Sequence, residues 1–233
     1  MTAISFWHRL ADLIAPRMCT VCGRRLSVSE LSVCARCNLH LPRTGFQLTP
    51  YDNPMARLFW GIIPTERVAA LFYYEAHSEA SNIVYDMKYH DHPETAYHMG
   101  RLLGREMGQA RFFDGIDLIV PIPLAANRQR QRGYNQSMEL AKGISNVTKI
   151  PVCSRAVRRI RFEKSQTLMN RQERIDNVEY VFELADPQTV DKRHVLLVDD
   201  VVTTGATMTA CARQLLQTGN TTISMASLAF AKA

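Results

Sequence analysis

An apolar run that ends in two adjacent carboxylates constrains this chain more than any other feature: VLLVDDVVTTGAT, at positions 195–207. Four consecutive apolar residues predict a buried strand, because strands covered on both faces lack the alternation of half-exposed strands. The apolar spacing of 207–218 then predicts a helix, which Gly219 would end. A buried strand followed by a helix is the repeating unit of parallel sheets. The chain is therefore expected to fold as an α/β protein.

The rest of the chain fits the same class. Its apolar patterns predict strands at 67–74, 117–123, 151–157, 178–184, 194–199 and 221–231. Helical spacing predicts helices at 5–15, 79–89, 93–110, 135–147 and 207–218. Strands that alternate with helices indicate a mainly parallel sheet with helices on both faces.

The two acids, Asp199 and Asp200, fall where such sheets bind ligands, at the carboxyl end of a strand. Adjacent carboxylates repel each other and lose hydration unless hydroxyls, amides or a cation compensate, which suits a polyhydroxylated ligand. The segment Thr203–Thr207 supplies hydroxyls, a glycine and a helix start, the components of a phosphate cradle. Alternatively, a threonine merely caps the helix and the acids are solvated. The complete string is restrictive enough to favour a ribose-5-phosphate site.

This string resembles the 5-phosphoribosyl-1-pyrophosphate (PRPP) loop of type I phosphoribosyltransferases. In that family the two acids contact the ribose hydroxyls and the residues after them hold the 5-phosphate. The resemblance therefore implies that Asp199 and Asp200 contact ribose, and that the phosphate is held by Val201, Val202, Thr203, Thr204, Gly205, Ala206 and Thr207.

The middle of the chain is basic. Positions 121–174 carry twelve Lys/Arg against three Asp/Glu, a net charge of +9, whereas the remainder has a net charge of −3. This asymmetry indicates an anionic ligand, either a phosphorylated small molecule or nucleic acid, although arginines that only coat solvated loops would give the same count. Guanidinium groups beside a helix start suit the pyrophosphate of PRPP. The candidates for that group are Arg128, Arg132, Gly133, Asn135, Gln136 and the isolated cation Lys88.

Three ordered motifs, PIPL…RGYNQS, KSQxLxxR and VLLVDDVVTTGAT, follow an N-terminal pair of CxxC motifs. Together they resemble the ComF/GntX family of phosphoribosyltransferase-like competence proteins. The resemblance implies a mobile loop over the substrate, with Lys164 and Arg171 stabilising the leaving charge, and Mg²⁺ bound with PRPP. It also implies a role in DNA uptake during natural transformation, with single-stranded DNA and other competence proteins as partners.

Four cysteines are spaced as C-x2-C-x11-C-x2-C: Cys19, Cys22, Cys34 and Cys37. Four thiolates at this spacing can close a tetrahedral zinc site that stabilises a small loop-rich module. We therefore expect a zinc-ribbon-like module at 1–50 and a phosphoribosyltransferase-like domain at 64–233, with the Pro-containing stretch 42–54 as a linker. The alternative is that the four cysteines are structural thiols whose spacing is fortuitous.

No uninterrupted apolar stretch of membrane-spanning length occurs, and the clustered cysteines favour metal binding in a reducing compartment, so we expect no membrane insertion and a cytoplasmic location. The expected function is that of a PRPP-binding, phosphoribosyltransferase-like protein of DNA uptake. It would be a glycosyltransferase if it releases pyrophosphate, with an acceptor that the sequence does not define. The alternatives are a non-catalytic scaffold that senses PRPP or binds single-stranded DNA, and a structural zinc protein with a vestigial fold.

Overall fold

The computed structural model describes residues 16–89, 92–160 and 182–231. Its strands are β1 (Val68–Tyr74), β2 (Leu118–Pro121), β3 (Val157–Arg159), β4 (Phe182–Leu184), β5 (His194–Val202) and β6 (Thr222–Ala231). Four of them form a parallel sheet in the order β1-β6-β5-β2, and β3 and β4 form an antiparallel pair. The central strands β5 and β6 are buried over most of their length. The predicted α/β class with a mainly parallel sheet is confirmed.

All the helices of the described ranges except α1, which precedes β1, lie between these strands. They are α1 (Ala35–His40), α2 (Ser81–Tyr89), α3 (Pro93–Gln109), α4 (Ala126–Arg132), α5 (Gln136–Thr148), α6 (Pro187–Val190) and α7 (Ala206–Leu215). Short 3-10 turns occur at Phe46–Leu48, Ala56–Leu58 and Leu216–Thr218. Across the described ranges, every helix is too short or too polar to cross a lipid bilayer.

Two helices pack closely enough to fix where α5 begins. A Cβ atom at Gly100 in α3 would lie 2.2 Å from the carbonyl oxygen of Leu140 in α5, and one at Gly143 would lie 2.2 Å from the carbonyl oxygen of Tyr97. The helices therefore touch backbone to backbone, and only glycine fits at the crossing. The first turn of α5 is thereby held against the sheet beside β5.

The predicted strand at 151–157 is wrong as a continuous element. Val152 alone bridges to Ile119 of β2, the chain then bends at 154–156, and pairing resumes only in β3. The chain leaves the parallel sheet here to form the β3–β4 hairpin, which strand propensity does not indicate. The predicted helix 5–15 and the first residues of the predicted strand 178–184 lie outside the described residues.

The stretch 42–54, predicted to be a linker, is packed against the sheet together with the residues that follow it up to position 63. Phe46 and Phe59 are 4% and 0% exposed, and the Phe46 ring meets the Phe230 ring edge-on at 5.7 Å between centroids. Asn53 is 3% exposed, donates its amide to the Val68 carbonyl of β1 at 2.8 Å, and caps the turn that follows it. The segment 42–63 therefore packs over one edge of the core, and its apolar side chains hold it there.

Candidate functional site

Asp199 and Asp200 lie side by side on β5 and are held by different neighbours, because successive side chains of a strand point to opposite faces. One oxygen of Asp199 accepts hydrogen bonds from the Ser137 hydroxyl and from the Asp200 backbone N–H, each at 2.9 Å. One oxygen of Asp200 accepts the backbone N–H of Val201 at 2.7 Å, and the other lies 3.2 Å from the Lys88 ammonium nitrogen. A hydroxyl, two amides and a cation thus compensate the two carboxyl groups.

The two acids differ in how readily they lose a proton. Burial and the adjacent Asp200 carboxylate raise the pKa of Asp199 from 3.8 to about 7, and the Ser137 hydroxyl, the Asp200 amide and Lys88 oppose that rise. Asp199 therefore exchanges its proton near neutral pH. A carboxyl group in this state can donate or accept a hydrogen bond to a sugar hydroxyl.

Local caps hold the residues around the acid pair. Asn135 caps α5 by accepting the Ser137 backbone N–H at 3.0 Å, and it donates to the Ile122 carbonyl just beyond β2 at 3.0 Å. Gln136 donates to the Met87 carbonyl at 3.1 Å and accepts from Arg132 at 3.0 Å. These bonds fasten the start of α5 to the end of β2 and to the last turn of α2, which carries Lys88.

A cavity of about 190 Å³ opens beside the acid pair. Of the residues that the sequence suggested for pyrophosphate, the structure brings four to this cavity: Lys88, Arg128, Arg132 and Gln136. The other two lie outside its lining. Gly133 ends α4 with a left-handed φ of 74°, and Asn135 is the cap of α5, so both shape the chain around the cavity.

The segment after the acids runs differently from its prediction. β5 continues three residues beyond the predicted end, to Val202, which is 3% exposed and is not among the residues that line the cavity. Thr203 and Thr204 are exposed, and Val201 and Thr207 line the cavity. The Ala206 N–H at the start of α7 donates to the Thr204 hydroxyl at 3.4 Å. The N–H groups that follow it in the first turn have no carbonyl partner within the helix, so they can bind an anion together with the threonine hydroxyls.

Gly205 sets the geometry of this turn. It precedes α7 with a φ of 76°, in the left-handed region that favours glycine. A Cβ atom at this position would lie 2.9 Å from the Phe59 ring. The packed segment 42–63 therefore supports the turn from behind, and no larger side chain fits between them.

Two residues of the site were not found by sequence reasoning. Ser137 holds Asp199 from α5, and Arg159 of β3 lines the cavity with Arg128. Ser137 is the last residue of the motif RGYNQS, and Arg159 lies five positions before the motif KSQxLxxR. A serine and one arginine among many give no distinguishing signal. Lys164 and Arg171, predicted to stabilise leaving charge, lie outside the described residues.

The four N-terminal cysteines meet in space, with all sulfur atoms within 4.8 Å of one another. Backbone N–H groups point at two of them: Cys34 donates to the Cys19 sulfur at 3.3 Å, and Cys37 donates to the Cys34 sulfur at 3.5 Å. The Cys37 amide is the largest cause that lowers the pKa of the Cys34 thiol to about 7. This arrangement can hold a metal ion. Cysteines bind metal ions as thiolates, and nearby N–H groups stabilise the thiolate form. His40, the histidine nearest to these cysteines in the sequence, is exposed, and its Nδ1 atom hydrogen-bonds the Arg36 carbonyl at 2.8 Å.

The cysteine cluster is fastened to the main body through α3. Ser32 hydrogen-bonds a ring nitrogen of His98 at 2.8 Å. Arg43 forms a two-point ion pair with Glu106, at 3.0 Å and 2.5 Å, and also donates to the Asn38 carbonyl of α1. The contacts come from side chains of both parts, so the cluster lies at a defined place beside α3.

Comparisons with known proteins match residues 88–233 to the phosphoribosyl transferase domain. DNA utilization protein YhgH of Shigella flexneri is 30% identical over 221 residues, which cover 91% of this chain and 96% of that protein. Competence protein F of Haemophilus influenzae is 35% identical over 104 residues, 44% of this chain and 45% of that protein. Among solved structures, the glutamine PRPP amidotransferase of B. subtilis, complexed with ADP and GMP, aligns with a TM-score of 0.41 and 18% identity over 57% of this chain and 25% of that chain. The domain match includes the acid pair and the threonine turn, and it begins at Lys88.

Proposed function

The chain belongs to the phosphoribosyl transferase domain family, within its group of DNA utilization and competence proteins, and on that basis we propose that it binds PRPP in the cavity beside Asp199 and Asp200. The observation that carries the proposal is the compensated acid pair, which faces a cavity lined by four cationic side chains. Carboxyl groups that bind sugar hydroxyls, next to cations that bind phosphate, match the two chemical halves of PRPP.

Each part of the ligand has its own group of residues. Asp199 and Asp200 hold the ribose hydroxyls, and the turn Thr203–Thr207 holds the 5-phosphate with backbone N–H groups and hydroxyls. Arg128 and Arg132 hold the pyrophosphate from the other side. The predicted contribution of Lys164 and Arg171 to the leaving charge remains part of the proposal.

Magnesium fits this site as a companion of the ligand. Carboxylate oxygens and substrate phosphates are the ligands that Mg²⁺ takes in nucleotide enzymes, and the oxygens of Asp199 and Asp200 lie at the cavity. When bound, the ion neutralises charge on the pyrophosphate. The protein's own contribution is to position the ribose and to surround the pyrophosphate with fixed cations.

We also propose that the four-cysteine cluster holds Zn²⁺. A tetrahedral ion with Zn–S bonds of about 2.3 Å places its sulfur ligands about 3.8 Å apart, and the sulfurs of Cys22 and Cys34 are 3.9 Å apart. Closed four-sulfur sites are structural, because no position is left for a substrate. Thiolate ligands persist in a reducing compartment, consistent with the predicted cytoplasmic location.

The relatives' names point to DNA utilization and competence, and we propose that this chain acts in the same process, with the PRPP pocket as its small-molecule site. Single-stranded DNA and competence proteins are its proposed partners. The direct experiment has two parts: calorimetry with PRPP and Mg²⁺, and pyrophosphate release from PRPP with nucleobases, nucleotides or single-stranded DNA as acceptors. Saturable binding of PRPP supports the proposed pocket. Release of pyrophosphate in the presence of one class of acceptor identifies transfer of the phosphoribosyl group to that class.

The matched variants are Asp199→Asn/Asp200→Asn in the pocket and Asp52→Asn in an exposed ion pair with Arg57. PRPP binding that is lost in the double variant and kept in Asp52→Asn supports the proposal. Wild-type protein that binds no PRPP in the presence of Mg²⁺ contradicts it.

A further inference from the structure

The last turn of α2 is bound by side chains from another part of the chain. The Met87 carbonyl accepts the Tyr134 hydroxyl at 2.6 Å and the side-chain amide of Gln136 at 3.1 Å. Carbonyl groups near the end of a helix are the ones that donors from outside the helix can bind, and a carbonyl oxygen has two lone pairs. Tyr134 and Gln136 therefore cap α2 from the start of α5 and the turn before it.

The buried amide of Gln136 has a single orientation that suits both of its neighbours. Gln136 is 1% exposed, its oxygen accepts from the Arg132 guanidinium at 3.0 Å, and its nitrogen donates to the Met87 carbonyl. A guanidinium group can only donate and a carbonyl can only accept, so the reversed amide would present the wrong group to each of them. One buried side chain thereby connects Arg132, which lines the cavity, to the helix that carries Lys88.

Tyr134 fixes the end of α2 relative to the start of α3. Its hydroxyl oxygen lies 2.6 Å from the Met87 carbonyl oxygen and 3.2 Å from the carbonyl oxygen of His92, the residue before α3. The hydroxyl has one proton, so the two carbonyls share it. The residue between the two donors is anchored as well, since Asn135 donates to the Ile122 carbonyl. Both donors therefore come from a segment that is itself held beside the sheet.

Met87 is fixed through both its side chain and its carbonyl, and Lys88 is the next residue. The Met87 side chain is 0% exposed, so the core holds it while its carbonyl is capped. A lysine side chain is long and flexible, and its ammonium is held at one point more readily where the backbone that carries it is fixed. The Lys88 ammonium nitrogen lies 3.2 Å from a carboxylate oxygen of Asp200. Movement of this turn would lengthen that contact and weaken an attraction that falls with distance.

We propose that Tyr134 and Gln136 are positioning residues of this site: through the Met87 carbonyl they hold Lys88 against Asp200, and so they fix the charges that the ligand meets. Tyr134 is not among the residues that line the cavity, so its effect on the ligand passes through Lys88. The inference rests on the proposed function for the identity of that ligand, whereas the position of Lys88 can be measured without one.

The first measurement therefore uses the protein without a ligand. NMR relaxation of the Lys88 Cε carbon gives an order parameter, which falls as the side chain becomes more mobile. Tyr134→Phe removes the hydroxyl and keeps the ring, and we expect the order parameter of Lys88 to fall in this variant. Tyr97→Phe is the matched control: its ring contact with His98 is kept, and in the described ranges the Tyr97 hydroxyl forms no hydrogen bond. The control should leave the order parameter unchanged.

The second measurement asks whether the effect on binding passes through Lys88. In calorimetry with PRPP and Mg²⁺, Tyr134→Phe should weaken binding by about 2- to 10-fold, the usual net contribution of one hydrogen bond. The same substitution made in Lys88→Met should change the dissociation constant by less than about twofold, because the residue that Tyr134 positions has been removed. A loss as large in Lys88→Met as in the wild type overturns the positioning role.

Gln136→Met keeps the length of the side chain but can neither donate to the Met87 carbonyl nor accept from Arg132. It decides the matter if Tyr134→Phe does not fold, and it should lower the order parameter of Lys88 in the same way. An order parameter that is unchanged in both variants overturns the inference and leaves the pocket intact. Wild-type protein that binds no PRPP contradicts the proposed function, and the mobility of Lys88 still tests the positioning role.

Discussion

The ammonium nitrogen of Lys88 lies 3.2 Å from a carboxylate oxygen of Asp200, and the two side chains are only 23% and 14% exposed. The pair connects the last turn of α2 to the carboxyl end of β5. Because both groups are largely shielded from water, their attraction is screened less than that of a surface pair. Lys88 therefore acts on the charge state of the whole acid pair, including Asp199.

Replacing Lys88 by methionine should raise the pKa of Asp199 above its value of about 7, because Lys88 is one of the groups that favour the Asp199 carboxylate. Carbon-13 NMR titration of the aspartate carboxyl groups measures this directly. Lys142→Met is the control, since Lys142 pairs with Glu139 on an exposed face of α5. A pKa of Asp199 that falls or does not move in Lys88→Met would contradict the role of the pair.

Asp199→Asn should stabilise the fold at alkaline pH. The pKa of Asp199 rises from 3.8 to about 7 on folding, so the folded chain binds this proton more tightly than the unfolded chain. The resulting stability is complete below pH 3.8 and is lost as the pH rises through about 7. Asparagine stays neutral and keeps an acceptor for Ser137, so its melting temperature should exceed the wild-type value by several degrees at pH 8 and by less at pH 5. Calorimetric melts at both pH values test this, and a gain that is larger at pH 5 would refute it.

The sequence predicted the parts of the fold that depend on local apolar patterns. The strand and helix around VLLVDDVVTTGAT appear as β5 and α7, since a buried strand and an amphipathic helix leave strong periodic signals. The predicted linker 42–54 is part of a packed segment, 42–63, whose buried Phe46 and Phe59 are scattered among polar residues and prolines and so leave no periodic signal. Their burial depends on tertiary contacts with β6 and the Gly205 turn, which no local window contains.

The candidate site also has one part that the sequence predicts and another part that only the fold reveals. Asp199, Asp200 and the threonine turn are contiguous in the chain, so their chemistry could be inferred before the fold was seen. Their supports are not contiguous: Ser137 reaches Asp199 across 62 positions, and Arg159 reaches the cavity through a hairpin. Only the topology of the sheet and the packing of α5 bring these residues together.

Zinc removal should unfold the cysteine module and spare the parallel sheet. If the cluster holds Zn²⁺, the purified protein contains about one zinc per chain, because four thiolates close one tetrahedral site. Cys34→Ser removes a ligand that is 0% exposed, and we expect it to lose the metal and to become sensitive to protease within 17–41. Elemental analysis and limited proteolysis are the measurements. Cys153→Ser, a half-exposed cysteine outside the cluster, should keep the metal, and an unchanged zinc content in Cys34→Ser would contradict the site.

Gly205→Ala should disrupt the phosphate turn through two separable effects. The backbone φ of 76° disfavours any side chain, which costs about 1 kcal/mol, and the added Cβ would lie 2.9 Å from the Phe59 ring. Gly115→Ala is the matched control, because Gly115 has a similar φ of 74° and nothing within 4 Å of the added Cβ. We expect Gly205→Ala to lower the free energy of unfolding by about 1–3 kcal/mol more than Gly115→Ala, the usual cost of overpacking. Only Gly205→Ala should also weaken PRPP binding, because the clash moves the N–H groups at the start of α7. Urea unfolding and calorimetry measure the two effects, and equal behaviour of the two variants would show that Phe59 does not support the turn.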